Sequence, residues 1–120
     1  MAKGGEFRKW AGNIVDVVNW SEEARNEYKS NPVGRIQKKY LWYRKGITWN
    51  LVSGNGTGFR FLPDTVLFNK AAPTIVIKED SLNKLDFALG FLNTKIVSVL
   101  LDLMNPTINT NIAEVFQLPL

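Results

Sequence analysis

Residues 72 to 85 read Ala72-Pro73-Thr74-Ile75-Val76-Ile77, then Lys78-Glu79-Asp80-Ser81-Leu82-Asn83-Lys84-Leu85. The first six, β-branched from Thr74 to Ile77, read as a strand, with Pro73 placing its start at a sheet edge. At Asp80 or Ser81 the pattern changes. From there to about Met104 the chain is apolar nearly all round, which predicts a long, largely buried helix capped by Asp80 or Ser81. Gly90 is the expected point of a bend. Asn105-Pro106 stops the run.

Working outward, earlier segments add short strands. Ile14-Val15-Asp16-Val17-Val18 is β-branched and predicts one. Residues 47–52 (Ile-Thr-Trp-Asn-Leu-Val) and Phe59-Arg60-Phe61-Leu62 predict two more. Val66-Leu67-Phe68 follows the turn pair Pro63-Asp64 and predicts another. Ser21 caps a short helix from Glu22 to about Lys29, with acids early and a base late, as the helix dipole prefers. The basic stretch after Asn31-Pro32 reads as a helical turn and then an extended piece. Residues 112–120 hold one more helical turn or strand. Strands followed by a long helix give an α+β class. The expected sheet is mixed or antiparallel, packed on a long buried C-terminal helix, with a short helix near the N-terminus.

The chain has 120 residues, 45% of them hydrophobic and 12% aromatic. That suffices for one domain with a core, spanning residues 1–120, and no repeat or low-complexity tract divides it. There is no Cys and no His. Their absence excludes disulfides, Cys or His zinc sites, Cys nucleophiles and a His general base. The opening residues lack an apolar signal region. Lys84, Asp86, Lys95 and Asp102 interrupt the apolar stretch 82–103, which argues against a membrane span. A cytoplasmic protein is expected.

Charge is unevenly placed. Residues 1–46 hold ten basic and five acidic side chains, net +5, whereas residues 47–120 hold five and six, net −1. The densest run is Arg35, Lys38, Lys39, Arg44 and Lys45, interleaved with Tyr40, Trp42 and Tyr43 and followed by Trp49. Cations neutralise phosphates, and flat rings stack on bases or line a groove. The plainer reading is a solvated basic face whose rings turn into the core.

Several motifs carry no chemistry on inspection. Gly54-x-Gly56-x-Gly58 runs into a strand, where a dinucleotide fingerprint would open a helix. It reads as a mobile turn, or as a loop whose backbone approaches DNA. Asn105-Pro106-Thr107-Ile108 lacks the second proline and the aromatic of the adenine-methylase catalytic motif. Pro63-Asp64 has no downstream acid-x-Lys to make a nuclease site. Glu79-Asp80 reads as capping and solvated charge. No catalytic constellation forms, so the chain itself is not expected to be an enzyme.

Five short motifs in order carry a resemblance. Gly4-Gly5-Glu6-Phe7-Arg8-Lys9-Trp10 with Gly12-Asn13 comes first, then Gly46-Ile47-Thr48-Trp49. Gly90-Phe91-Leu92-Asn93-Thr94-Lys95, Asn105-Pro106-Thr107-Ile108-Asn109 and Leu118-Pro119-Leu120 complete the set. Together, over residues 4–120, they resemble the target-recognition region of large adenine-specific DNA methyltransferases. These are the BREX-type bacterial phage-defence methylases and related fused restriction-modification enzymes. Ala11, Thr110-Asn111 and Asn69-Lys70-Ala71-Ala72-Pro73 depart from that pattern.

The resemblance implies a piece of a longer protein that reads a DNA target. A separate domain would bind S-adenosylmethionine and methylate adenine after flipping it. No cofactor and no metal is expected on this chain. Its expected partners are double-stranded DNA and the methyltransferase domain of the same parent. Lys38, Lys39, Arg44 and Lys45 are candidate phosphate contacts. Arg35 or Arg60 is the candidate for a base edge, since Arg on guanine is the commonest specific contact. Arg8, Lys9, Asn13, Trp49 and Asn55 complete the DNA-binding candidates. The competing expectation is a module that docks on a methylase or defence-complex subunit through its apolar C-terminal third.

Overall fold

The computed structural model describes residues 1–32, 36–52, 56–105 and 109–118. Its class is α+β, with one small antiparallel sheet and four α-helices among the described residues. The strands are β1 (Gly46–Thr48), β2 (Arg60–Leu62) and β3 (Thr74–Val76), in the order β2-β1-β3. Ile47 faces Phe61 on one side and Ile75 on the other. Gly46 is required for this register: a Cβ there would overlap the Ile75 carbonyl oxygen. The sheet is antiparallel throughout, which settles the open choice between mixed and antiparallel.

Helix α1 (Glu22–Ser30) begins at Ser21, whose Oγ accepts from the Ala24 N–H at 3.2 Å. Glu22 and Glu23 lie in its first turn and Lys29 in its last. The helix is tied to the basic segment by rings. Trp20 and Trp42 meet edge to face at 4.7 Å, and the Arg25 guanidinium lies over both. Among the described residues of that segment, Lys39–Leu41 forms a 3-10 turn.

Two expected strands are absent. Residues 11–20 form no regular structure, and Val15 and Val17 are exposed, Val17 by 97%. A β-branched run makes a strand only if a neighbour accepts its ladder. Here the flanking 4–13 loop takes the free edge of β2 instead. Phe68 forms a lone parallel bridge to Ala2, not a strand.

The long C-terminal helix is also corrected. Glu79–Lys84 is 3-10, so Asp80 and Ser81 do not cap an α-helix. Helix α2 (Leu85–Leu92) then starts at Lys84 with no side-chain cap. Helix α3 (Lys95–Met104) follows at a bend of 66°. The break falls at Asn93-Thr94, three residues beyond Gly90. Thr94 caps α3 by accepting from the Val97 N–H. The Asn93 side-chain amide donates to the Leu89 carbonyl of its own helix and also pairs with the Phe59 backbone beside β2. It accepts from the Phe59 N–H at 3.0 Å and donates to the Phe59 carbonyl at 2.9 Å. Asn and Thr bond local backbone readily, and that preference ends helices.

The pair is less buried than expected. Leu85, Leu89, Leu92, Val97 and Leu101 face inward, while Phe87, Ile96, Val99 and Leu103 face out. No single described helix is long and apolar enough to cross a membrane.

The main core gathers Ile47, Trp49, Phe59, Leu92, Val97 and Val115. The Trp49 and Phe59 rings lie 5.4 Å apart. Helix α4 (Ile112–Phe116) closes this core from the C-terminal side. The Trp49 indole N–H donates to the Thr110 carbonyl at 2.9 Å, which docks the chain leading into α4. The Asn105 side chain donates to the Glu114 carboxylate at 2.8 Å and holds it below the usual glutamate range.

Asn93→Ala is expected to be costly. It leaves the Phe59 N–H buried and unpaired, at about 1–3 kcal/mol, while the Phe59 carbonyl keeps its bond from the Trp10 N–H. Urea unfolding monitored by tryptophan fluorescence and circular dichroism checks this. A loss under about 0.5 kcal/mol, the size of an ordinary surface substitution, would contradict the role given to that amide.

Candidate nucleic-acid interface

The most constrained surface is the loop of residues 4–13. It turns through Gly4, Gly5 and Gly12, all at positive φ. Its end is sewn to the free edge of β2: the Trp10 N–H donates to the Phe59 carbonyl and the Phe61 N–H donates to the Trp10 carbonyl, each at 2.8 Å. The fit beneath Arg8 is tight. A Cβ on Gly58 would overlap the Arg8 carbonyl oxygen, so only glycine permits this approach.

Three buried polar side chains hold the loop from below. Asn50 donates to the Gly5 carbonyl at 2.7 Å and, through Oδ1, accepts from Arg60 at 2.8 Å. Arg60 also donates to the carbonyls of Gly58 and Arg8. Asn93 accepts the Lys9 ammonium on its carbonyl oxygen at 3.0 Å. That carbonyl lies at the C-terminal end of α2, where a cation is favoured. On the outside, Asn13 donates to the Glu6 carbonyl at 2.7 Å and closes the loop. Asn13 itself sits at φ 58°, which Asn tolerates.

Arg60 is 1% exposed. No carboxylate among the described side chains lies within ion-pair distance of it. Burial pushes its pKa down, yet guanidinium stays charged at neutral pH. Its compensation is three oxygen dipoles, those of Arg8, Gly58 and Asn50.

The outer face of the loop carries Phe7, Arg8 and Trp10, all exposed. Arg8 makes only a loose 4.0 Å contact with Glu6. A second basic surface lies where the chain enters β1. Lys38, Lys39 and Lys45 are exposed there, together with Tyr40 and Tyr43. Arg44 is half-buried and donates to the Ile77 carbonyl at 3.3 Å.

The candidates from sequence therefore divide. Arg8, Lys9 and Asn13 share the loop, and Lys38, Lys39, Arg44 and Lys45 share the second surface. Trp49 is 0% exposed and belongs to the core, so its ring is not presented to a duplex. Arg60 supports the loop from inside and is not at the surface. Arg35 and Asn55 lie outside the described residues, as do Ser53 and Gly54 of the glycine turn. Phe7, Trp10, Asn50 and Asn93 were not singled out. The signal was present: Phe7-Arg8-Lys9-Trp10 repeats the aromatic and basic interleaving that drew attention to residues 35–49.

A cavity of about 500 Å³ lies between α1 and residues 36–42, lined by Trp20, Tyr28, Leu41, Trp42 and Phe68 among others. Among the described residues that line it there is no carboxylate side chain.

No family model matches the chain. Whole-chain comparison with curated proteins does find relatives. The chain is similar to adenine-specific methyltransferases. It is 35% identical over 124 residues to the adenine-specific methyltransferase PglX of Lacticaseibacillus casei (strain Zhang), covering 98% of this chain and 10% of that protein. It is 27% identical over 119 residues to the adenine-specific methyltransferase BrxX of Escherichia coli O9:H4 (strain HS), covering 99% of this chain and 10% of that protein. The chain thus spans about a tenth of the length of either relative.

The loop anchorage has a direct test. Gly58→Ala is expected to lift the 4–13 loop from β2. Amide hydrogen exchange at Trp10 and Phe61 should then accelerate at least tenfold, with β1–β3 amides little changed. Unaltered protection at both amides would contradict the close packing described.

Proposed function

We propose that this chain is the DNA target-recognition domain of an adenine-specific methyltransferase of the restriction-modification or phage-defence kind. The observation that carries the reading is the alignment itself. Nearly all of this chain matches methyltransferases, yet it accounts for only 10% of their length. A segment so small, with neither Cys nor His and no acid–base constellation, suits recognition and leaves catalysis to another domain. That domain of the parent would bind S-adenosylmethionine and transfer its methyl group in the cytoplasm.

The surface chemistry supports duplex DNA as the partner. Lys38, Lys39 and Lys45 supply phosphate contacts that fix register. Arg8, with Asn13 behind it, offers donors to a base edge. Trp49 and Arg60 act indirectly, by holding the core and the loop. No metal and no cofactor is assigned to this chain.

A second reading has its own observation. Ile96, Val99 and Leu103 lie on one exposed side of α3, with Phe116 exposed on α4. That apolar side suits docking on the methyltransferase domain or on another subunit. The two readings are compatible, since a recognition domain must also be held against its catalytic partner.

The test is duplex binding by fluorescence anisotropy at several salt concentrations. Binding should weaken steeply with salt. Charge reversal of Lys38, Lys39 and Lys45 together should weaken it at least tenfold and flatten the salt slope. No binding at about 50 mM salt, where phosphate contacts are strongest, would leave the α3 face as the working surface and overturn the DNA reading.

A further inference from the structure

Trp10 combines three properties that do not belong together in an ordinary surface residue. Its side chain is large and apolar, and the residue is 54% exposed. Its backbone sits at φ 75°, in the left-handed region that bulky side chains rarely adopt. Its N–H and carbonyl are both pinned to β2. An unpinned chain would relax that φ and fold the indole away from water. The hydrogen bonds prevent this, and they rest in turn on Asn93, Asn50 and Arg60 beneath. Strain held by an over-determined surround is a mark of a functional position.

The neighbours indicate the ligand chemistry. Arg8 and Lys9 immediately precede Trp10, and Phe7 is exposed beside them. An aromatic ring held outward among cations matches a polyanion with flat apolar faces within it, which is a stack of bases. We propose that Trp10 is a rigid wedge that inserts at a base step of duplex DNA. Its stacking then makes recognition depend on how readily that step opens, in addition to any base-edge contact. Apolar wedges of this kind partially unstack and kink DNA, and flexible pyrimidine–purine steps yield most easily. The inference rests on the DNA reading above and names a residue which that reading does not use.

The experiment compares the wild-type chain with Trp10→Gly and Trp10→Phe on a duplex rich in TA steps. Glycine accepts the positive φ, so Trp10→Gly removes the ring without adding backbone strain. Its melting temperature should stay close to wild type while its affinity falls about 5- to 150-fold, the range for losing one base–aromatic stack. The slope of log Kd against log salt should not change, because no cation is lost. Trp10→Phe should recover most of the affinity. Indole emission should be quenched on adding the duplex to wild type, and that quenching should vanish in Trp10→Phe.

Wild-type binding with Trp10→Gly equally tight would overturn the wedge and leave the DNA reading standing. A flattened salt slope in Trp10→Gly would also overturn it, since Trp10 would then serve only to position Arg8 and Lys9. Failure of the wild-type chain to bind any duplex would remove both. Retained quenching in Trp10→Phe would place the stacking on another tryptophan and refute the assignment.

Discussion

The hydrogen bonds from Asn50, Arg60 and Asn93 to the backbone around them are what the rest of the structure depends on. The sheet is small, three residues in each strand, and cannot by itself fix the loop beside it. Each of the three side chains joins segments distant in sequence. Asn50 joins the end of β1 to Gly5, Arg60 joins β2 to Arg8, and Asn93 joins the α2–α3 break to Phe59. A buried guanidinium with no carboxylate beside it among the described side chains is costly, and the oxygens of Arg8, Gly58 and Asn50 offset that cost at its two terminal nitrogens while Nε stays unpaired. The result is a surface loop with an interior side as ordered as a core. Such rigidity suits an interface that must hold side chains in a fixed pattern.

The same constraint explains the divided helix. The Asn93 N–H still bonds the Leu89 carbonyl, but a continuous helix from residue 85 to 104 would also take the Asn93 carbonyl, which here accepts the Lys9 ammonium, into its ladder. Pairing the Asn93 side-chain amide with Phe59 requires the chain to turn there. The turn sends α3 off at an angle, buries Val97 and Leu101, and leaves Ile96, Val99 and Leu103 uncovered. The apolar surplus of the C-terminal third is therefore divided between the core and an outer face. On the proposed reading the outer face meets the catalytic part of the parent protein.

Much of the fold was legible locally. Ser21 capping α1 and the strands containing Ile47, Phe61 and Ile75 follow from composition and spacing, whereas residues 112–120 leave helical turn or strand open and form a helix at Ile112–Phe116. What was not legible depends on partners far away in sequence. The run from Ile14 to Val18 has strand propensity, but the edge it needs is occupied by Trp10. Trp49 looked like a member of an aromatic and basic surface, yet its side of the sheet is the core. Arg60 looked like a reader of bases, yet its neighbours are carbonyls under a glycine. Periodicity cannot say which face of a three-residue strand is covered. The five recognised motifs were read in order along the chain. In the fold, the first three of them surround β2: Trp10 bridges its free edge, β1 pairs its other edge, and Asn93 bonds Phe59 just before it.

On the proposed reading, the 4–13 loop and the basic surface near β1 together face duplex DNA. Amide chemical-shift mapping of the ¹⁵N-labelled chain, titrated with duplex at low salt, tests this. The largest shifts are expected at residues 7–13 and 38–45, including the Trp10 indole N–H, with α3 nearly silent. Shifts confined to α3 and α4, or none at any duplex concentration, would contradict it.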